Sequence, residues 1–581
     1  MSRRGRPGRL LIGAVALAAL VAGCSTGGTT GPATGSSPAT DATSSGGGVP
    51  PPAPTAADDP SGPEFPGAVP RGGRPVVADG DDWMMPAWAR PAPFSGFFSE
   101  EASPSDHVMV RSVDVSWRQI APTPDGPLDL TSSGEAQGMF FDPLGQQLDQ
   151  PGPYWVRLFA SGVDWAPTWV VDRCGVGPVG TDYDDQQHLP IWDDCVWSAL
   201  RDTWQRLLVD QGILADPDFR FAYVPGGFTW VEYDYDVISQ AARRGLVTRA
   251  AYLAWFDRML GDLADIAGPQ VGQLVFTGED YPWGPFGKAD DLLATDAVRR
   301  GFGVRTGITE EFNFHLNQTP AYGSTIRPDG HLAMARGAGP EPGRLQVFGT
   351  ENECYVSCGY HAQDPAYDVV MSNLKALQLQ MNWVYVVPGD SLLDPQAQHW
   401  DWVRLSLGQT PQRSPDAWAA LRDAQDTFWR GRFVRNLERW LVQVDTPGAV
   451  AHRSTSDVHR GDPTRENGVS YEGLRTDPAT GQRSLAFRLD PRFMAADETS
   501  PVLVKVTFLD RGRGSLRVRS PGRTTPAVRL TDSGAWRTAT FALRLRPDKS
   551  LPGGTDLWVD GSGPGGLTVR FVRVVRVEPP G

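Results

Sequence analysis

The chain has 581 residues, with 54 Lys and Arg against 68 Asp and Glu, giving a formal net charge of −14 at pH 7. That balance argues against nucleic acid or an anionic membrane surface as a partner, and the length exceeds what one ordinary domain holds. Twenty Trp stand out in the composition; their faces suit the apolar faces of sugar rings and equally suit a core or an interface.

At the start, Arg3, Arg4, Arg6 and Arg9 precede an apolar stretch from Leu10 to Leu20 and a small-residue exit, Val21, Ala22, Gly23, ending at Cys24. A charged start, a short apolar core and small residues at the exit describe an export signal over residues 1–23. The stretch is shorter than the roughly 20 residues that span a bilayer. Val-Ala-Gly-Cys resembles a bacterial lipobox, which implies lipidation at Cys24 and a mature protein held on the outer face of the cell membrane, since two or three acyl chains anchor where one does not. Residues 24–78 are nearly all Gly, Ser, Thr, Pro and Ala, too few large apolar groups to offset the entropy of ordering, and read as a disordered tether.

From residue 79 to 440 apolar runs alternate with helical patterns. Strands are expected at 107–117, 154–161, 219–227, 273–280, 303–308, 344–351 and 382–389. Thr248 can cap a helix carrying Leu253, Phe256, Leu260 and Leu263 on one stripe. Ser414 and Pro415 can start another, with Ala417, Leu421, Ala424 and Phe428 inward. Seven strands alternating with helices predict an α/β fold, an eight-stranded (β/α)8 TIM barrel with long loops. No glycine-rich phosphate motif follows any of these strands, no HExxH is present, and no cofactor or metal is expected.

Beyond residue 441 short alternating strands take over. Val504, Val506 and Phe508 point one way and Lys505 and Thr507 the other, and "WRTATFALRL" and "LTVRFVRVVRV" repeat the pattern. With "PGG", "DSG" and "GSGPGG" turns between them, these predict a jelly-roll-like β-sandwich over 441–581.

Apart from Cys24, four cysteines remain: Cys174, Cys195, Cys354 and Cys358. An exported chain allows two disulfides in three connectivities; the local pairing 174–195 with 354–358 is preferred because each bridge closes a loop. A four-thiolate metal site lacks the paired two-residue gaps of zinc knuckles.

Active sites of such barrels form at the C-terminal ends of the strands. Three predicted ends carry carboxylates: Glu232; Glu279 and Asp280; Glu351 and Glu353. Aromatics stand beside each: Trp230, Tyr233 and Tyr235; Tyr281 and Trp283; Tyr355. Glycosidic cleavage needs two carboxyl groups across a pocket, one to protonate the leaving oxygen and one to attack the anomeric carbon or activate water. For any single Glu, a solvated acid or an arginine's ion-pair partner is the competing reading. Arg157 and Arg305, inside predicted strands, can reach a sugar or neutralise the acids. Trp383 and His361 complete the candidate substrate contacts. His188, His315, His361 and His399 are scattered without metal spacing, and the cluster Asp182, Asp184, Asp185 lacks an EF-hand pattern.

"VDVSWRQIAPTPDGPLDL", with Trp117, Pro122, Gly126 and Asp129, resembles the first strand and loop of family 42 β-galactosidase-type barrels. "YWVRLFASGVDWAPTWV" is similar to their second strand, and "VKVTFLDRGRGSLRV" with "SGAWRTATFAL" to an appended sandwich of unknown function. The resemblance covers about half of residues 79–581 and implies a retaining glycosidase with its acid/base after strand four and its nucleophile after strand seven. By position these are Glu232 and Glu351, with Glu353 as rival nucleophile, Trp117 lining the substrate site, and an oligo- or polysaccharide as substrate. Barrels of that superfamily place Asn before the acid, where this chain has Val231. A carbohydrate-binding lipoprotein on a barrel without activity is the alternative.

Overall fold

A computed structural model describes residues 70, 73–99, 109–233, 235–278, 293–308, 324–334, 344–352, 365–386, 396–422, 435–453 and 473–580. The expected signal, Cys24 and most of the tether therefore lie outside the described residues. Among those described, no helix is long and apolar enough to cross a membrane.

Eight parallel strands close into a barrel in chain order: β1 Gly96–Phe98, β2 Met109–Ser116, β3 Tyr154–Phe159, β4 Phe219–Val224, β5 Leu274–Phe276, β6 Gly303–Ile308, β7 Phe348–Asn352 and β8 Trp383–Val386. The sequence reading finds seven of these and misses β1, a three-residue strand too short to display a period. The ring closes through it: Phe98 pairs with Val110 of β2 on one side and with Tyr385 of β8 on the other. The stretches around Asp114 and Arg157 are accordingly the second and third strands, not the first and second.

Alternation sorts each strand into two faces. Phe98, Trp155, Phe159, Phe221, Tyr223, Val275, Val347, Trp383 and Tyr385 fill the barrel interior, with Trp155 and Tyr223 ring centroids 4.5 Å apart. Val113, Val115, Val156, Leu158, Ala222, Val224, Val304 and Phe348 pack outward against the helices. The helix Arg249–Ala267 shows why the chain folds so: the Thr248 side chain accepts from Ala251 N at its start, and Tyr252, Phe256, Met259, Leu263 and Ala267 recur on one buried face. Nine Trp, at 117, 155, 165, 204, 255, 383, 400, 402 and 418, rank among the largest fully buried side chains. With Trp83, Trp197, Trp440 and Trp558 also buried, 13 of the 20 Trp are core.

Cys174, ending the helix Thr168–Cys174, bonds Cys195 at the start of the helix Asp194–Gln205. Their sulfurs offer no thiolate to a metal. The bridge closes a loop of sequence separation 21, for which chain entropy gives about 3 kcal/mol. Reduction, or C174S/C195S, is expected to lower the unfolding free energy by about that amount; an unchanged denaturation midpoint contradicts it. The other expected pair, Cys354 and Cys358, lies outside the described residues.

Two antiparallel sheets follow. One runs in the order Val76–Asp79, Trp536–Leu545, Ser500–Leu509, Thr568–Arg576, Asp416–Ala420, Leu437–Arg439, with His452–Arg453 and Leu474–Arg475 alongside. The other comprises Leu441–Val444, Ser484–Leu489, Leu557–Ser562, Ser515–Ser520, Arg523–Thr524 and Val528–Arg529. Val504, Val506, Phe541 and Val574 from the first share a buried core with Leu441, Phe487, Val518 and Val559 from the second. The first sheet thus takes strands from before residue 441, including one from the segment read as tether. The helix expected from Ser414 is a strand, 416–420: Ala417 and Ala419 enter the sheet core while Trp418 and Ala420 pack toward the barrel. Its two faces are both buried, so tertiary packing overrides the alanines' helical preference.

The sheet's second face closes on the barrel. Trp83, His399, Trp402, Trp418 and Phe571 meet there, with Trp83 4.5 Å from His399 and 4.8 Å from Trp402. Burial, with the Arg573 charge, drives the His399 imidazole down to about 3, leaving a neutral core ring. Asp416 accepts from Trp402 Nε1 at 2.9 Å and from Arg573 Nε at 2.9 Å, all three groups buried.

A hairpin, Ser324–Ile326 with Leu332–Met334, follows β6 and reaches the same sheet. His331 Nδ1 lies 2.6 Å from Glu438 Oε2, and Arg435 N donates to Gly330 O. Burial pushes the His331 imidazole down, but the Glu438 bond and charge, with Asp329, outweigh that and Arg435, and the net shift is upward from 6.5. A raised folded value means this stabilisation is whole below the unfolded value and is lost as pH rises through the folded one. Melting temperature is therefore expected to fall as pH climbs above 6.5, and His331→Gln to flatten that part of the profile; an equally steep fall in the variant rules the pair out as its source.

Candidate active site

Several charged side chains enter the barrel from its strands or stand beyond their C-terminal ends. On β2 and β3, Asp114 and Arg157 form a forked pair, Nε to Oδ1 at 2.8 Å and Nη2 to Oδ2 at 2.9 Å. Arg157 is fully buried, its guanidinium 5.4 Å from the Trp155 ring centroid and 5.3 Å from Phe159. In register with Arg157 stands Tyr223 of β4, whose hydroxyl accepts from Arg305 Nε at 3.1 Å. Arg305, on β6, also binds Glu232 through Nη2. One guanidinium thereby links the end of β4, the interior tyrosine and β6.

Glu232 lies eight residues beyond β4, in a segment fixed along its backbone. Its N–H donates to Thr229 O at 2.7 Å, its carbonyl accepts from Phe228 N at 2.6 Å, and Tyr233 N donates to Thr277 O at 3.1 Å just after β5. Thr277 Oγ1 donates to Val231 O at 3.1 Å. Trp230 and Val231 hold φ of 53° and 68°, left-handed conformations that cost a bulky or β-branched residue on the order of 1–3 kcal/mol and persist only where neighbours over-determine them. The Glu232 side chain keeps 31% exposure against 3% for Arg305, so the carboxylate faces the mouth while its counter-ion sits behind it.

Behind this segment runs a buried polar chain. Ser161 Oγ lies 2.8 Å from His188 Nδ1, and His188 Nε2 lies 2.8 Å from Asp182 Oδ2. Asp182 also accepts from Gln186 N and Asp184 N and from the Thr229 side chain. Burial pushes the Asp182 carboxyl up, but the bonds from His188, Thr229 and Gln186 outweigh it and hold it below 3.8. All three side chains of the Ser161–His188–Asp182 series are buried, so the serine is no open nucleophile; the series ties the end of β3 to the Glu232 segment. Asp182 is committed to protein donors, and so is Asp184, which accepts from Gln137 Nε2 and Trp230 Nε1. Neither is a free calcium ligand.

Glu351 lies in β7, its Cα paired with Tyr385 of β8 and with Ile308 of β6. Position 351 shares its strand face with Val347, in the barrel interior, and with Gly349, where a Cβ would stand 3.4 Å from Arg305 Cγ. Counted with β1, Glu232 follows the fourth strand and Glu351 is the last residue but one of the seventh.

The other expected contacts divide. Trp117 is fully buried, gives its indole N–H to Thr203 Oγ1 at 2.8 Å and packs with the outward faces of the strands and the helices. Trp383 lies in the interior against Phe221, centroids 5.3 Å apart, at the β8 end away from the mouth. Tyr233 is buried against Phe276 at 4.9 Å, and burial carries its hydroxyl well above 10.0; it supports Glu232 from behind. Arg157 is spent on Asp114. Trp230 remains at the mouth. Glu279, Asp280, Trp283, Glu353, Tyr355 and His361 lie outside the described residues. Sequence reasoning does not single out Asp114 and Tyr223; Asp114 stands between the outward Val113 and Val115 and Tyr223 between Ala222 and Val224, an alternation that places both inward and is the signal that marks them.

Comparison of the chain with known protein families and with curated proteins finds no match.

Proposed function

We propose that the protein is a retaining glycoside hydrolase acting on cell-surface or extracellular glycans, held outside the cell by a lipid on Cys24. The observation that carries this reading is the placement of Glu232 beyond β4 and Glu351 at the end of β7 of one closed parallel barrel, with Arg305 of β6 bound to the first and facing Gly349, two residues before the second.

In the first half-reaction Glu232 gives its proton to the glycosidic oxygen while the Glu351 carboxylate attacks the anomeric carbon, so the C–O bond to the leaving sugar breaks as the glycosyl ester forms. Glu232 lies against the Arg305 guanidinium, which positions its carboxyl group. In the second, Glu232 takes a proton from water, the hydroxide attacks the anomeric carbon and Glu351 is released. Glu353 is the rival nucleophile. The Asp114–Arg157 pair and Tyr223 keep the floor of the site charged and rigid. The two antiparallel sheets read as a jelly-roll-like β-sandwich that covers the barrel's flank.

The test is incubation of the purified protein with a panel of aryl glycosides and soluble polysaccharides, followed by NMR of the first-formed anomer. Hydrolysis with retained configuration supports the reading, inverted configuration replaces the nucleophile with a water-activating base, and no release from any substrate removes it. A barrel that binds glycan without cutting it is the second reading. Val231 favours it, standing where the resembling barrels carry Asn.

A further inference from the structure

Among the described residues five large hydrophobic side chains are exposed, and only two are aromatic: Phe140, 83% exposed, and Tyr183, 58% exposed. They do not lie at random. Phe140 sits in the hairpin Gly134–Ala136/Met139–Phe141 that follows β2, and Tyr183 in the hairpin Gly180–Thr181/Gln187–His188 that follows β3. Trp230 stands on the segment that follows β4. Three successive loops at the same end of the barrel each present an aromatic ring.

One carboxylate oxygen gathers them. Asp184 Oδ2 accepts from Gln137 Nε2, at the tip of the first hairpin, at 2.8 Å, and from Trp230 Nε1 at 3.0 Å. Asp184 is the neighbour of Tyr183, and its own N–H is fixed by Asp182 Oδ1 at 3.0 Å. Holding the indole by its N–H edge fixes the plane of the ring. The left-handed backbone at Trp230 and Val231 is the conformational cost of placing that ring.

Single exposed apolar residues are ordinary, whereas a group of them rimmed by polar atoms marks a binding surface. Aromatic faces stack on the C–H faces of sugar rings, and the Gln137 amide and Asp184 carboxylate, bonded to each other, make the polar edge that holds the loops together. Trp230 is two residues from Glu232, so the surface is continuous with the candidate site. We propose that Phe140, Tyr183 and Trp230 form an aromatic rim on which a glycan chain lies as it enters the mouth beside Glu232. This rests on the glycosidase reading, and adds to it a preference for a chain of several sugars over a single one.

The test uses the full chain carrying Glu232→Gln, run by native electrophoresis through gels containing soluble galactan, xylan, mannan or arabinan, with an albumin gel as control. One or more polymers are expected to retard the protein. Adding F140A/Y183A, both at exposed positions, is expected to weaken the retardation about tenfold or more in apparent Kd with the melting temperature measured alongside, and D184A to weaken it by freeing Trp230. Retardation by no polymer, or retardation unchanged in F140A/Y183A, overturns the rim. Self-association that F140A/Y183A abolishes also overturns it, by assigning the surface to a protein partner. The two readings fail separately. Binding lost in F140A/Y183A by a protein whose wild type cuts nothing leaves the rim and removes the hydrolase. Cutting with unaltered binding does the reverse.

Discussion

Glu232→Gln is expected to lower hydrolysis of a natural glycan by about 10²- to 10⁴-fold, the range of a lost general acid, while the melting temperature stays close to that of the wild type. The amide oxygen still accepts from Arg305, so the contact that positions the side chain survives; what disappears is the proton. The loss should therefore depend on the leaving group. An aryl glycoside whose phenolate departs unaided should lose far less than an alkyl glycoside or a polysaccharide in the first half-reaction. Glu351→Gln, by contrast, should abolish both equally, because no leaving group substitutes for a nucleophile. Equal losses on both substrates in the Glu232 variant would strip it of the acid role and leave a binding or structural one.

The largest effect on stability is expected at Asp416→Ala. This carboxylate and the Arg573 guanidinium it binds are each 1% exposed, and the same oxygen takes the Trp402 indole N–H. Arg573 keeps a bond to the Asp82 carbonyl at 2.6 Å, but no other buried anion is described against it. Breaking a buried pair from one side costs about 3–5 kcal/mol because the remaining charge is uncompensated. Chemical denaturation measures this directly, and removal of both charges in Asp416→Ala/Arg573→Leu should recover part of the loss. A cost within about 0.5 kcal/mol, the range of a surface substitution, would mean that water reaches Arg573.

These two sites differ in how far the sequence discloses them. Glu232 and Glu351 are legible because a carboxylate straight after an apolar run is chemically conspicuous, and because the strand and helix periods are strong on both sides. Their strand numbers are not, since β1 has three residues in a Pro-rich stretch and only the closure of the ring reveals it. Asp416 is hidden by its surroundings: Ser414, Pro415 and the alanines carry every mark of a helix start, while the decisive fact, a strand buried on both faces, belongs to partners more than 150 residues away in Thr568–Arg576. Lys505 and Thr507 mislead in the opposite sense. Their alternation with Val504 and Val506 marks a solvent face, yet both are buried, with Lys505 bound to Asp82, because the barrel covers that side of the sheet. Alternation reports which residues share a face and cannot say what covers it. Tryptophan content fails likewise as a sign of sugar binding, since the exposed rings that remain at the mouth are a Phe and a Tyr beside one Trp.

The order of strands in the larger sheet also has a consequence for the chain as it is made. Of its principal strands, the latest in sequence, Thr568–Arg576, lies between Ser500–Leu509 and Asp416–Ala420, and the earliest, Val76–Asp79, waits at the edge for Trp536–Leu545. During synthesis from the N-terminus the barrel strands can pair as they emerge, each beside its predecessor, whereas this sheet has an open gap at its centre until its last strand is supplied. A nascent chain stopped between residues 546 and 567 would carry a closed barrel and two unpaired strand edges, on Ser500–Leu509 and Asp416–Ala420, and those edges are where a ribosome-bound or truncated form should recruit chaperones or self-associate.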